Sequence, residues 1–135
     1  MRSRRSRFCK MLPMARLLRV LELGRLFEVI YVGEVSNDYR IETMEEVERR
    51  IGASFIRKLL IDYSSAWAAE ETAPWASARR YLERFADMKH VRGARIALLN
   101  APAGHAEILE TMPIAIGCRT KRFYDRDAAL AWLRR

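Results

Sequence analysis

The chain is short of most of the residues that announce a chemistry. Its 135 residues include only two cysteines, Cys9 and Cys118, so no disulfide framework can staple a fold of this length. The two histidines, His90 and His105, stand in no C-x-x-C or H-E-x-x-H spacing, and no metal site or other cofactor is expected. Gly24, Gly33, Gly52, Gly93, Gly104 and Gly117 are scattered singly, which excludes a glycine-rich loop cradling phosphates. No G-x-S-x-G turn is present to raise a nucleophilic serine. No apolar run approaches the ~20 residues that cross a bilayer.

What is present is the material of one globular domain. Half of the residues are hydrophobic and 31% are charged. A chain of this size buries roughly two-thirds of its unfolded surface, enough for one hydrophobic core. The formal net charge is +8, which invites a nucleic-acid reading. Its distribution weakens that reading. Residues 1–13 hold Arg2, Arg4, Arg5, Arg7 and Lys10 and no acid, leaving an unremarkable +3 for the rest. Pro13, Arg16 and Arg19 interrupt any apolar stretch after this basic segment, so it does not read as a secretion signal. It reads as a disordered tail or an over-called start, with Met11 or Met14 as the natural first residue. The domain proper is then 14–135, a cytoplasmic protein with reduced thiols. Nucleic acid, reached through a basic arm, is a disfavoured partner.

Hydrophobic periodicity gives the elements. Residues 16–23 and 26–35 are apolar and β-capable, joined by a turn at Gly24-Arg25, and suggest an antiparallel hairpin. Ser36 is a good N-cap, and Ile41, Met44, Val47 and Ile51 recur at helical spacing before Gly52. A buried strand is expected over 56–63, with Asp62 at its end, followed by a loop from Ser64 to Glu71. Thr72 and Pro74 open a second helix whose buried stripe reads Trp75, Ala78, Leu82 and Phe85. A strand over 94–99, a short helix over 103–111 stopped by Pro113, and a strand over 118–124 follow. Asp125 caps a last helix in which Ala129, Trp132 and Leu133 face inward. The order ββαβαβαβα implies an α/β fold: a mostly parallel sheet with one antiparallel strand and helices packed on it.

This order, together with the ending KRFYDRDAALAWLRR, resembles the SpoIIAA-like proteins of the STAS superfamily, a branch related to CRAL-TRIO-type lipid carriers. Phe123, the acidic cap Asp125 and the run Ala128 to Leu133 carry the likeness most closely. The hairpin entering Gly33-Glu34-Val35-Ser36 and the strand LLIDY also fit. The resemblance implies a small non-catalytic regulatory module binding a protein partner or a small apolar ligand. STAS antagonists are switched by phosphorylation of a serine in an Asp-Ser-Ser-Gly-like turn after the third strand. The matching stretch here is Asp62-Tyr63-Ser64-Ser65-Ala66-Trp67, with the acid and both serines but no glycine. Ser65 is the implied acceptor.

In open α/β sheets, ligands bind beyond the carboxyl ends of the parallel strands. That edge gathers Asp62, Ser64, Ser65, Trp67, Asn100 and His105 as candidate ligand- or partner-binding residues. Asp62, Ser64 or Ser65 and His105 also spell an acid, a nucleophile and a base, which keeps a hydrolase as the rival class. Trp67 and Trp75 flank the loop sequence; Trp75 is expected in the core, while Trp67 is divided evenly between core and binding surface. A homodimer is left open. Since the basic segment has no apolar periodicity, deleting residues 1–13 should leave the melting temperature nearly unchanged. A drop of several degrees in a thermal melt would show that it docks on the domain.

Overall fold

The computed structural model describes residues 14–51, 57–88, 92–105 and 117–135. The expected helix over 103–111 with Pro113, and Cys9, Gly52 and His90, fall largely or wholly outside the described residues. The elements run β1 (Ala15–Leu21), a 3-10 turn at Glu22–Gly24, β2 (Leu26–Val35), α1 (Asn37–Ile51), β3 (Lys58–Ala68), α2 (Pro74–Ala86), β4 (Arg95–Leu99), β5 (Arg119–Phe123) and α3 (Arg126–Leu133). The five strands lie side by side in sequence order, with β1 antiparallel to β2 and the other three pairs parallel. The fold is the α/β sheet with one antiparallel strand that the alternation of periods implied.

Strand alternation splits the apolar residues into two layers. Phe27, Val29 and Tyr31 of β2, Leu59, Ile61 and Tyr63 of β3, and Ile96 and Leu98 of β4 form one cluster with Met44, Val47 and Ile51 of α1 and Tyr81 and Phe85 of α2. Leu26, Leu60, Ala97 and Leu99 face the other way and pack on Ala129, Trp132 and Leu133 of α3. The two-sided burial explains why β2 and β4 read as continuous apolar runs.

Caps follow the sequence at two helices. The Ser36 hydroxyl accepts from the Tyr39 N–H at 3.0 Å, and the Asp125 carboxylate accepts from the Ala128 N–H at 2.9 Å. At α2 the expectation fails. Ala73, not Thr72, stands at the N-cap and makes no side-chain cap, so Pro74 alone opens the helix. Its buried stripe is Ser77, Tyr81 and Phe85. Trp75 is 89% exposed, a correction of its expected core place. The helix is rotated because Ser77 is drawn inward by a hydrogen bond from Asn37 Nδ2 at 3.0 Å.

The strand β3 also runs past its expected end. Ile30 lies opposite Asp62 but Val32 opposite Ser65, so β3 carries one extra residue, a β-bulge. Beyond it, pairing with β2 resumes to Ala68, and the Ala69 N–H reaches the Val35 carbonyl at 2.9 Å. Ser64, Ser65 and Trp67 are therefore strand residues and not a loop.

Trp132 is 9% exposed, with its ring 5.6 Å from Phe123 and the Arg95 guanidinium 4.5 Å above it. Trp132→Ala should cost about 3–5 kcal/mol, the usual range for a large buried aromatic. Urea denaturation checks it, and a midpoint within error of wild type would refute the anchoring role.

Candidate functional site

The bulge decides which way the candidate residues point. Before it, Asp62 faces the α3 layer and Tyr63 the α1–α2 layer. After it, Ser65 and Trp67 share a side with their cross-strand partners Val32 and Glu34. The helix α3 has eight residues and packs against the amino-terminal half of that face. Val32 and, next to Ile30, Leu17 are left 41% and 53% exposed on it.

Asp62 is committed locally. Its Oδ1 accepts the Ser64 N–H at 2.8 Å, and Oδ2 lies 3.7 Å from Arg126 of α3. The Ser64 hydroxyl accepts from Asn100 Nδ2 at 2.9 Å, and the Asn100 N–H reaches the Phe123 carbonyl at 2.8 Å. Asp62, Ser64 and Asn100 thus stitch β3, β4 and β5 at their carboxyl ends. Ser65 is exposed and Trp67 half-buried. His105 is elsewhere: it is 6% exposed, edge-on to Tyr63 with ring centroids 5.8 Å apart, on the opposite side of the sheet from Asp62. The acid, serine and histidine of the hydrolase reading are not brought together.

His105 belongs to a cluster the sequence reading passed over. Arg40, on α1, is 1% exposed. Its Nη1 donates to Asn37 Oδ1 at 3.1 Å and its Nη2 to the His105 carbonyl at 3.3 Å. The guanidinium carbon sits 4.0 Å from the centre of the Tyr81 ring, a cation–π contact shielded from water. Tyr63 and Tyr31 complete the wall, their rings 5.2 Å apart. Burial pulls the Arg40 guanidinium down, but Tyr63, Tyr81 and Tyr31 more than offset it, and it remains a cation. Burial also raises the three phenols, Tyr81 to about 12, so they stay neutral. Burial, reinforced by the Arg40 charge, pushes His105 down to about 3. The helical signal was in the sequence: Asn37, Arg40, Met44, Val47 and Ile51 form one stripe, with two polar residues at core positions.

A second buried charge lies on the other side. Glu28 has no exposed side-chain surface and pairs with Arg19 of β1 and Arg126 of α3. Burial alone would raise its carboxyl, but these two arginines outweigh burial and hold it below the usual range. It too was visible as one acid inside an apolar strand. Among the described residues no group of three or more His, Cys, Asp or Glu side chains could hold a metal ion, and no helix is long and apolar enough to cross a membrane.

Because His105 is neutral when folded and protonates near its ordinary value when unfolded, acid favours the unfolded chain. Its stabilising contribution is complete above about pH 6.5 and is lost progressively toward pH 3, at about 1.4 kcal/mol per unit. His105→Phe, which keeps a ring against Tyr63, should lose stability less steeply than wild type between pH 6.5 and 5. Parallel urea curves at the two pH values would refute the burial of a neutral imidazole.

No protein-family model and no curated protein matches the sequence. Among solved structures, the chain is similar to an uncharacterized protein of the DUF3478 family from Shewanella loihica PV-4, described as having a SpoIIAA-like fold. The TM-score is 0.53 at 17% identity, covering 89% of this chain and 93% of the other. With the strand order and the single antiparallel pair above, that likeness establishes that this chain has a SpoIIAA-like α/β fold.

Proposed function

We propose that the chain is a non-catalytic binding module whose partner is another protein, held at the carboxyl edge of the parallel strands. The observation that carries this reading is the pair of aromatics there: Trp75 at the start of α2 is 89% exposed and Tyr124 after β5 is 77% exposed. Tryptophan and tyrosine are the residues that dominate binding energy when a partner buries them. A side chain so open does not line an enclosed pocket, which favours a protein partner over a small apolar ligand. Val32 and Leu17 are further exposed apolar residues, on the face of the sheet that α3 leaves uncovered. Hydrolysis has no support from the arrangement of Asp62, Ser64 and His105.

A regulatory reading of Ser65 rests on a separate observation. It is exposed and lies opposite Val32, within the uncovered face, whereas the Ser64 hydroxyl is engaged by Asn100. A phosphate on Ser65 would set nearly two negative charges on that apolar surface and oppose docking there.

The test begins with cross-linking in extracts of the native host to identify the bound protein. Affinities are then measured for Trp75→Ala, Trp67→Ala and Ser65→Asp. Trp75→Ala should fold with stability within about 0.5 kcal/mol of wild type, as an exposed substitution does, and bind at least tenfold more weakly. Ser65→Asp should weaken binding without unfolding the domain. Wild-type affinity in Trp75→Ala, or a small molecule carried in native mass spectra, would replace this reading with the ligand one. A hydrolytic activity abolished by His105→Ala would overturn the non-enzymatic assignment.

A further inference from the structure

The Arg40 cluster contains two buried polar atoms with no hydrogen-bond partner, Arg40 Nε and His105 Nδ1. Such atoms are rare in folded proteins, and each calls for a physical reason. Both belong to one constellation, and both side chains are more than nine-tenths buried. A guanidinium has a side-on edge, formed by Nε and Nη2, that matches two oxygens of a carboxylate or phosphate. On that edge Nε is unpartnered, Nη2 reaches the His105 carbonyl at a long 3.3 Å, and Tyr63 and Tyr81 supply the remaining polar contacts of the guanidinium. The opposite corner, Nη1, is already held by Asn37. The under-used edge is the one that recognises oxyanions.

The electrostatics agree. Arg40 makes no ion pair with a carboxylate among the described residues; its contacts are an amide, a carbonyl, phenols and a ring face. It stands in the first turns of α1, fifteen residues long, whose amino end adds positive potential to the same place. A desolvated cation beside a helix amino terminus and neutral phenols attracts an anion strongly, because little water screens the pair.

We propose that Arg40, with Tyr63, Tyr81 and His105 around it, is a receptor for one oxyanionic group, a phosphate, sulfate or carboxylate, that seats on the Nε–Nη2 edge. The anion takes the acceptor role of the His105 carbonyl, so the segment from Asn100 to His105 shifts when it binds. A tyrosine hydroxyl donates to a further oxygen. The group is either a free ion or the acidic head of a larger molecule. The site is buried, whereas the aromatics assigned to a protein partner are exposed, and the two proposals stand or fall independently.

The test uses the whole chain and thermal melts in phosphate, sulfate, acetate and octanoate, each against sodium chloride at equal ionic strength. A saturable rise in melting temperature with at least one of them, confirmed by calorimetric titration, is expected. Saturation by phosphate or sulfate identifies a free ion; octanoate binding at least tenfold tighter than acetate identifies the head of a larger acid. Arg40→Lys keeps the charge but loses the two-pronged edge, and should weaken binding at least tenfold. Should that variant not fold, Asn37→Asp serves instead. It sets a carboxylate against Nη1, at the loss of the Nδ2 donation to Ser77, so it should satisfy the cation from within and blunt the anion response at least tenfold. Arg119→Ala/Lys121→Ala, on the exposed β5 edge, should leave the response unchanged. The proposal is overturned if no oxyanion acts beyond chloride, if Asn37→Asp responds like wild type, or if the β5 variant abolishes the effect.

Discussion

A single buried cation organises the upper half of this molecule. Arg40 ties α1 to the loop after β4 through the His105 carbonyl and to α2 through the face of Tyr81. Asn37, its partner on α1, in turn holds Ser77 of α2. Three elements that share no strand pairing thereby meet at one point above Tyr63. Sheet hydrogen bonds cannot fix how two helices lie on a sheet, and apolar packing alone tolerates sliding. A charge that must keep its acceptors tolerates little, since a buried charge without them costs several kcal/mol. The rotation of α2 that exposes Trp75 follows from this. Once Ser77 and Tyr81 are turned toward Asn37 and Arg40, Trp75 has no place in the core.

Glu28 is the counterpart on the other side. It lies under the join between the sheet and α3, and Arg126, at the start of α3, reaches both Glu28 and Asp62. Arg19 closes the pair from β1. The network therefore links the edge strand, two central strands and the last helix. Because α3 is short, its grip ends at this row. The next residues along β2 and β1, Val32 and Leu17, remain open, and the bulge in β3 turns Ser65 and Trp67 toward the same side. The uncovered apolar face results from one helix length and one inserted residue.

These same residues mark how far the sequence could be read. Elements with a clear period were legible: the apolar stripe of α1, the continuous run of β2, and the capped helix ending in Trp132 and Leu133. So was the sheet type, because alternating periods leave few topologies. Positions decided by a tertiary contact were not legible. Nothing local says that β3 continues past Asp62, since its continuation depends on pairing with β2. Helical spacing at α2 allowed two faces, and the larger aromatic was the natural choice. Arg40 and Glu28 were overlooked for a common reason: a charge in an apolar pattern reads as an interruption, although here it marks the most constrained positions. His105 was placed among the candidates by its position after a parallel strand, and it does lie in a polar constellation, but with Arg40 instead of Asp62.

The positive charge of the domain also acquires a different meaning once the arginines are located. Arg16 meets Glu46, Arg80 meets Asp38, Arg84 meets Glu45 and Glu48, and Arg134 meets Glu22. Exposed pairs of this kind contribute little to stability, yet they reduce the cationic surface open to a polyanion. Two arginines of β1 are turned onto the faces of the sheet, Arg16 over the Tyr39 ring and Arg19 onto Glu28. The edge of β5 is different, with Arg119, Lys121 and Arg122 exposed in a five-residue strand. Cations along a short edge oppose pairing with another strand. The two edges of the sheet are thus guarded by opposite means, side chains folded inward at β1 and charges turned outward at β5. The β1 edge leaves Leu17, on the α3 side, and Val20, on the opposite side, each more than half exposed. An apolar approach to the sheet is therefore easiest from the β1 side, continuous with the face that α3 does not reach.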